Sequence, residues 1–89
     1  MTTLFVRHQV ADYAKWREVY DNFGPSQQRL GVGAQAVYRA ADNPNDITVT
    51  HEFAALEAAQ EFASSDDLRN AMSNAGIVGE PTIWFASKV

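Results

Sequence analysis

An α+β fold with the element order β-α-β-β-α-β is predicted for this chain of 89 residues. Three observations predict it. Apolar residues recur at every second position over Leu4–Val10 and Ile47–Phe53, the period of a pleated strand. The period lengthens to about 3.6 residues over Tyr13–Phe23 and again over Leu68–Ala75, the stripe of an amphipathic helix. Glycine, proline, asparagine and aspartate gather where one period gives way to the other.

The first strand is read from about Thr3 to Val10, with Leu4, Val6 and Val10 on one side and Arg7 and Gln9 on the other. Asp12 is placed to cap the helix that follows, because its carboxylate can accept from the free N–H groups of the first turn. Tyr13, Trp16, Val19, Tyr20 and Phe23 form the inward stripe, and Gly24-Pro25 ends or kinks the helix. A further turn runs to Leu30, closed by Gly31. The second strand spans about Ala34 to Ala40, and the cluster Ala41-Asp42-Asn43-Pro44-Asn45-Asp46 turns it into the third, Ile47 to Phe53. A helix from Ala55 to Ala63 is expected to turn Leu56, Ala59, Phe62 and Ala63 inward. Ser65 recaps the chain, Asp66 and Asp67 meet the positive helix end, and Gly76 terminates the stripe of Leu68, Ala71, Met72 and Ala75. Gly79 and Pro81 bracket the entry to a fourth strand, about Thr82 to Ser87.

This order is the split βαβ, or ferredoxin-like, arrangement. Right-handed crossovers make the sheet antiparallel in the order 4-1-3-2, with strands one and three central and both helical segments on one face. Residues 1–89 form a single domain, since a chain this short lacks the apolar area for two cores. Only about 60–65% of the unfolded surface is buried at this size, so an added interface would be stabilising. The opposite sheet face carries Phe5, Arg7, Gln9, Thr48, Thr50 and Glu52, and a homodimer packed through these faces is expected. Arg7 and Glu52 are candidates to pair across or within subunits.

Composition narrows the function. The sequence is 46% hydrophobic and 20% charged, as folded globular proteins are. A formal charge of −4 without any basic run argues against nucleic acid and anionic membrane surfaces as partners. No cysteine is present, which removes disulfides, thiolate metal sites and cysteine nucleophiles. No apolar run approaches the ~18 residues of a membrane span and no signal-peptide pattern opens the chain, so a cytoplasmic address is expected.

Two histidines interrupt apolar rows on the central strands, His8 and His51. By alternation they share the helix-covered face. They are a proton-transfer pair, or a hold on a polar substrate group, or core histidines satisfied by backbone or tyrosine hydroxyls. Two histidines without a third ligand on their face fall short of a zinc site, so no metal is expected. Trp16, Tyr20, Phe23 and Trp84 either line a flat pocket for an aromatic ligand or build the core. The expected site is a cavity bordered by His8 and His51 and closed by Trp16, Tyr20 and Trp84. There is no phosphate-binding glycine loop, nucleophile elbow or paired-carboxylate arrangement.

The string Val6-Arg7-His8-Gln9-Val10-Ala11-Asp12-Tyr13, with Trp16 beyond it, resembles the opening of small bacterial proteins of the dimeric α+β barrel superfamily. Those proteins are often called antibiotic biosynthesis monooxygenase-like or cyclase-like. Ala41-Asp42-Asn43-Pro44-Asn45, Leu68-Arg69-Asn70-Ala71-Met72 and Ala75-Gly76-Ile77-Val78-Gly79-Glu80-Pro81 are similar to the same group. The resemblance covers essentially the whole chain. It implies the ferredoxin-like fold, a homodimer, and a small cofactor-independent enzyme that oxygenates or isomerises an aromatic or polyketide-like compound. A non-catalytic dimeric protein that binds a small ligand is the alternative. The tryptophan, asparagine, tyrosine and histidine sets that members use do not match here residue by residue, and no catalytic residue is carried over from them.

Overall fold

A computed structural model covering Met1–Val89 contains β1 (Thr2–Val10), α1 (Tyr13–Asn22), α2 (Gly24–Arg29), β2 (Gln35–Ala40), β3 (Asn43–Phe53), α3 (Leu56–Ala63), α4 (Asp66–Asn74) and β4 (Ile77–Ser87). The strands form one sheet in the order β2-β3-β1-β4, antiparallel throughout. This is the expected order read from the other edge, with each crossover helix divided into two segments.

The local signals act as the sequence suggests. The Asp12 carboxylate accepts from the Ala14 and Lys15 N–H groups at 2.9 and 3.4 Å. Phe23 bridges α1 and α2 in a helical conformation, and Pro25 falls within the first two positions of α2, where its missing N–H costs nothing. Ser65 Oγ accepts from the Leu68 N–H at 3.2 Å and caps α4. Gly31 and Gly76 take φ values of 92° and 72° immediately beyond helix ends.

The core lies between the helices and one sheet face, in two clusters. Leu4, Val6, Phe53, Ala59, Phe62 and Leu68 form one; Val10, Trp16, Ile47, Val49 and Ala75 form the other. Phe62 is the hub of the first, with its ring centroid 5.0 to 6.0 Å from those of His51, Phe53 and Phe23. Leu56 was expected inward but is 43% exposed, because it is the first residue of α3 and stands at the rim.

Two strands run longer than the turn residues suggest, both through irregular pairing. β3 begins at Asn43 rather than Ile47: its register against β2 shifts between Arg39 and Ala40, and Arg39 Nε donates to the Pro44 carbonyl at 2.9 Å. β4 begins at Ile77 rather than Thr82. Arg7 faces Thr82 while Gln9 faces Val78, so Gly79, Glu80 and Pro81 bulge opposite His8, and Gly79 takes a φ of 76°. Proline and a positive-φ glycine are tolerated in an edge strand at such a bulge.

The expected Arg7–Glu52 pair does not form. Pairing of β1 with β3 sets Arg7 opposite Thr48 and Glu52 opposite Thr3, about four residues or 13 Å along the strand from Arg7. Arg7 instead takes the diagonal neighbour Asp46 in a bidentate pair, Nε to Oδ1 at 3.0 Å and Nη2 to Oδ2 at 2.6 Å.

These contacts predict a graded response to truncation. Phe62→Ala should cost about 3–5 kcal/mol, since it empties the centre of the larger cluster, and Ser65→Ala about 1 kcal/mol through loss of one cap. Urea unfolding monitored by tryptophan fluorescence should rank them in that order; equal costs would contradict the packing described.

Candidate functional site

The helix-facing row of β1 is Leu4, Val6, His8 and Val10, and that of β3 is Ile47, Val49, His51 and Phe53. Antiparallel pairing sets His8 opposite Ile47 and His51 opposite Leu4. The two histidines therefore share one face, as alternation requires. They stand four positions apart, about 13 Å along the strands. The register does not bring them together as a hydrogen-bonded proton-transfer pair.

They are instead two borders of one cavity. It lies between the sheet and helices α1, α2 and α4, and measures about 50 Å³. Val6, Val49, Ile77, Val19, Phe23, Leu68, Ala71, Met72 and Ala75 supply its apolar wall. Trp16 and Tyr20 stack at 5.0 Å and 15°, and Tyr13 continues the stack on Trp16 at 5.8 Å, so α1 presents a ladder of flat rings. His8 tilts against Trp16 at 5.8 Å. The polar members of the lining are His8, Tyr20, Gln27 and His51.

Those four side chains also hold every buried side-chain nitrogen or oxygen that lacks a partner: both ring nitrogens of His8 and of His51, the Tyr20 hydroxyl and Gln27 Nε2. The Tyr20 hydroxyl and the Gln27 carboxamide are neighbours, close enough for the amide to pull the phenol's pKa down against the larger effect of burial, but they do not meet in hydrogen-bond geometry. An unpaired buried polar group costs roughly 1–3 kcal/mol. Their gathering around one cavity puts six unused donors and acceptors within reach of whatever fills it. The present space holds about three or four waters.

Burial sets the charge state. It holds the His51 imidazole down to about 4. It also lowers His8, against a smaller opposing pull from the Asp46 carboxylate, and raises the Tyr20 phenol. At neutral pH the cavity is therefore lined by two neutral imidazoles, a neutral phenol and an amide. Each imidazole offers one donor and one acceptor. No lining residue is charged, and no three histidines, cysteines or acids stand together as metal ligands.

Of the residues expected at the site, His8, His51, Trp16 and Tyr20 line the cavity and Trp84 does not. Trp84 pairs with Phe5, whose side chain points away from the helices, and stacks on it at 5.1 Å with the rings 1° from parallel. It is 40% exposed on the open sheet face. Pairing with Phe5, an outward position of β1, fixes this orientation, and the bulge sets only its level along the strand. Gln27 joins the site without having been among the residues that interrupt an apolar row. It follows Tyr20 and Phe23 at i+7 and i+4, so it continues the α1 stripe across Pro25, and that spacing was the available signal.

No family model matches the sequence, and no curated protein sequence matches it. Solved structures do share its fold. A candidate antibiotic biosynthesis monooxygenase from Bordetella bronchiseptica superposes with a TM-score of 0.86 at 16% identity, covering 99% of this chain and 96% of that one. SnoaB, a cofactor-independent oxygenase from Streptomyces nogalater, superposes at 0.76 with 14% identity over 99% of this chain and 94% of its own. A conserved protein from Methanosarcina mazei Go1 gives 0.81 at 15%, covering 99% and 92%. The chain thus has the ferredoxin-like α+β fold of the antibiotic biosynthesis monooxygenase-like structures. At these identities the likeness is one of fold. No helix is long and apolar enough to cross a membrane.

The depressed His51 constant predicts a pH dependence of known sign. The unfolded imidazole, near 6.5, binds a proton that the folded one, near 4, refuses. Stability is therefore full above pH 6.5 and falls as the pH drops from 6.5 towards 4. At pH 5 the loss from this group is about 2 kcal/mol. His51→Gln should flatten that part of the urea-stability profile, and an unchanged slope would show that His51 titrates normally.

Proposed function

We propose that this protein is a small cofactor-independent enzyme acting on an aromatic or polyketide-like compound held in the cavity between sheet and helices. The observation that carries this reading is the coincidence of all the unpartnered buried polar atoms with one apolar, aromatic-walled space. A core selected for stability alone would place apolar residues there. The naming of several fold neighbours as oxygenases supports the same reading.

Roles follow from the environments. His8 is the better proton acceptor, because Asp46 partly offsets its burial. His51 is held so far below neutrality that it serves as a hydrogen-bond partner rather than a base. Tyr20 donates to a substrate oxygen. Proton loss from a phenol or enol to His8 leaves an electron-rich anion. In oxygenation that anion supplies all the electrons dioxygen needs, one methylene and O2 giving a carbonyl and water. In isomerisation the proton returns at another atom. The present cavity is smaller than an aromatic ring, so the ligand must displace side chains. Met72, half-buried, unbranched and part of the wall, is the most adaptable of them.

The second reading is a non-catalytic ligand-binding protein. The four-position offset of the histidines favours it, since neither ring has a partner that would orient it or relay a proton. Oxygen uptake and product analysis with hydroxylated naphthalenes and anthrones, in chelator-treated buffer, separate the two. Turnover should occur, and His8→Asn should lower it about 100-fold or more at an unchanged melting temperature. Binding without turnover would establish the accessory role. Loss of probe binding in neither His8→Asn nor His51→Gln would remove the histidines from the site.

The same reading includes a homodimer packed through the open sheet faces. Phe5 and Trp84 form an aromatic pair there, with Val78 and Tyr38, 57% and 58% exposed, on the same face. Sedimentation at micromolar concentration should give twice the 9.8 kDa chain mass. Trp84→Glu should shift it towards the monomer, and a wild-type species of one chain mass would refute the dimer.

A further inference from the structure

We propose that the cleft between α2 and β2 is the outer part of the same binding site, and that it takes a neutral, carbonyl-bearing substituent of the aromatic ligand. This rests on the ligand-binding reading above and specifies the ligand. The cleft measures about 320 Å³, and Gln27 lines both it and the inner cavity, so this one side chain stands between them.

Gln27 is built as a fixed but unsatisfied group. Its N–H donates to the Phe23 carbonyl at 3.0 Å, and its own carbonyl accepts from the Val32 N–H at 3.0 Å, which anchors the backbone. The residue is only 3% exposed, yet its Nε2 has no partner. A buried donor held in this way costs stability unless something in the cavity or cleft accepts from it.

The cleft's remaining side chains select the chemistry. Gln28 and Gln35 add two more amides, and Gly24, Pro25 and Gly33 expose backbone. Gln35 is the β2 partner of His51, so the cleft adjoins the His51 end of the cavity. Neither cavity nor cleft is lined by a charged residue. An ionised carboxylate or amine would lose its hydration with no opposite charge to replace it. A ketone, ester or amide loses little and gains the bonds that Gln27 offers.

Three single-ring probes test this on the intact protein: phenylacetamide, phenylacetate and propylbenzene, titrated at pH 7 and followed by NMR of the Gln27 side-chain amide. Phenylacetamide should bind about five-fold tighter than propylbenzene, the worth of one net hydrogen bond, and at least ten-fold tighter than phenylacetate. Its shift of the Gln27 amide resonance should exceed the ring-current shift that propylbenzene produces. Gln27→Leu should bring phenylacetamide to the level at which propylbenzene binds the same variant; the wild-type comparison decides the matter by itself if that variant does not fold. Phenylacetate binding as well as the amide would overturn the proposal. So would an amide advantage that is missing, or that survives in Gln27→Leu, while propylbenzene still binds. Failure of all three to bind would instead overturn the cavity-binding reading, and this inference with it.

Discussion

The pairing of β1 with β3 is the constraint on which the rest of this structure depends. Both strands are central, and their register sets Leu4 against His51, Val6 against Val49 and His8 against Ile47. A shift of one residue would turn Arg7, Thr48 and Glu52 into the core and Leu4, Val6 and Val49 out of it. The helices have only one apolar face to cover, so their placement follows. So does the location of the two histidines, which enter the interior because they occupy even and odd positions of correctly paired rows.

That placement works against stability. Of the 16 buried residues, His8, Gln27 and His51 face the cavity with polar atoms that nothing in the protein satisfies. A domain of this size has a net stability of only several kcal/mol, and a few such groups are a large fraction of it. The hydrophobic clusters on either side, around Phe62 and around Trp16, hold the structure while the space between them stays open. Neutrality of both imidazoles at physiological pH limits the cost, because an uncharged ring loses far less on burial than an imidazolium would.

Irregular pairing shapes the opposite face. Bulges in β2–β3 and β1–β4 absorb Pro44, Gly79 and Pro81 without ending the strands. In β4 the bulge resets the register so that Trp84 meets Phe5, leaving an aromatic pair on a face that carries no helix. The bidentate Arg7–Asp46 contact closes the same region, with Asp46 almost wholly buried and Arg7 largely in solvent. The two-residue shift keeps the alternation of β4, so Trp84 stays on the helix-free face and moves only from the level of Thr3 to that of Phe5.

Residue periodicity by itself determined the element order, the caps at Asp12 and Ser65, the ends at Gly31 and Gly76, and the sharing of one face by His8 and His51. These are local or parity properties: a cap needs three neighbouring residues, and alternation needs only the chain direction. Tertiary structure alone decided the distance between the histidines, the choice of Asp46 over Glu52 by Arg7, and the side of the sheet on which Trp84 stands. Each depends on the register between strands distant in sequence, which the alternation within a single strand does not specify. Gln27 belongs to both accounts. Its spacing from Tyr20 and Phe23 was in the sequence, but only the near-continuous path of α1 into α2 through Phe23 carries that spacing past Pro25 and into the site.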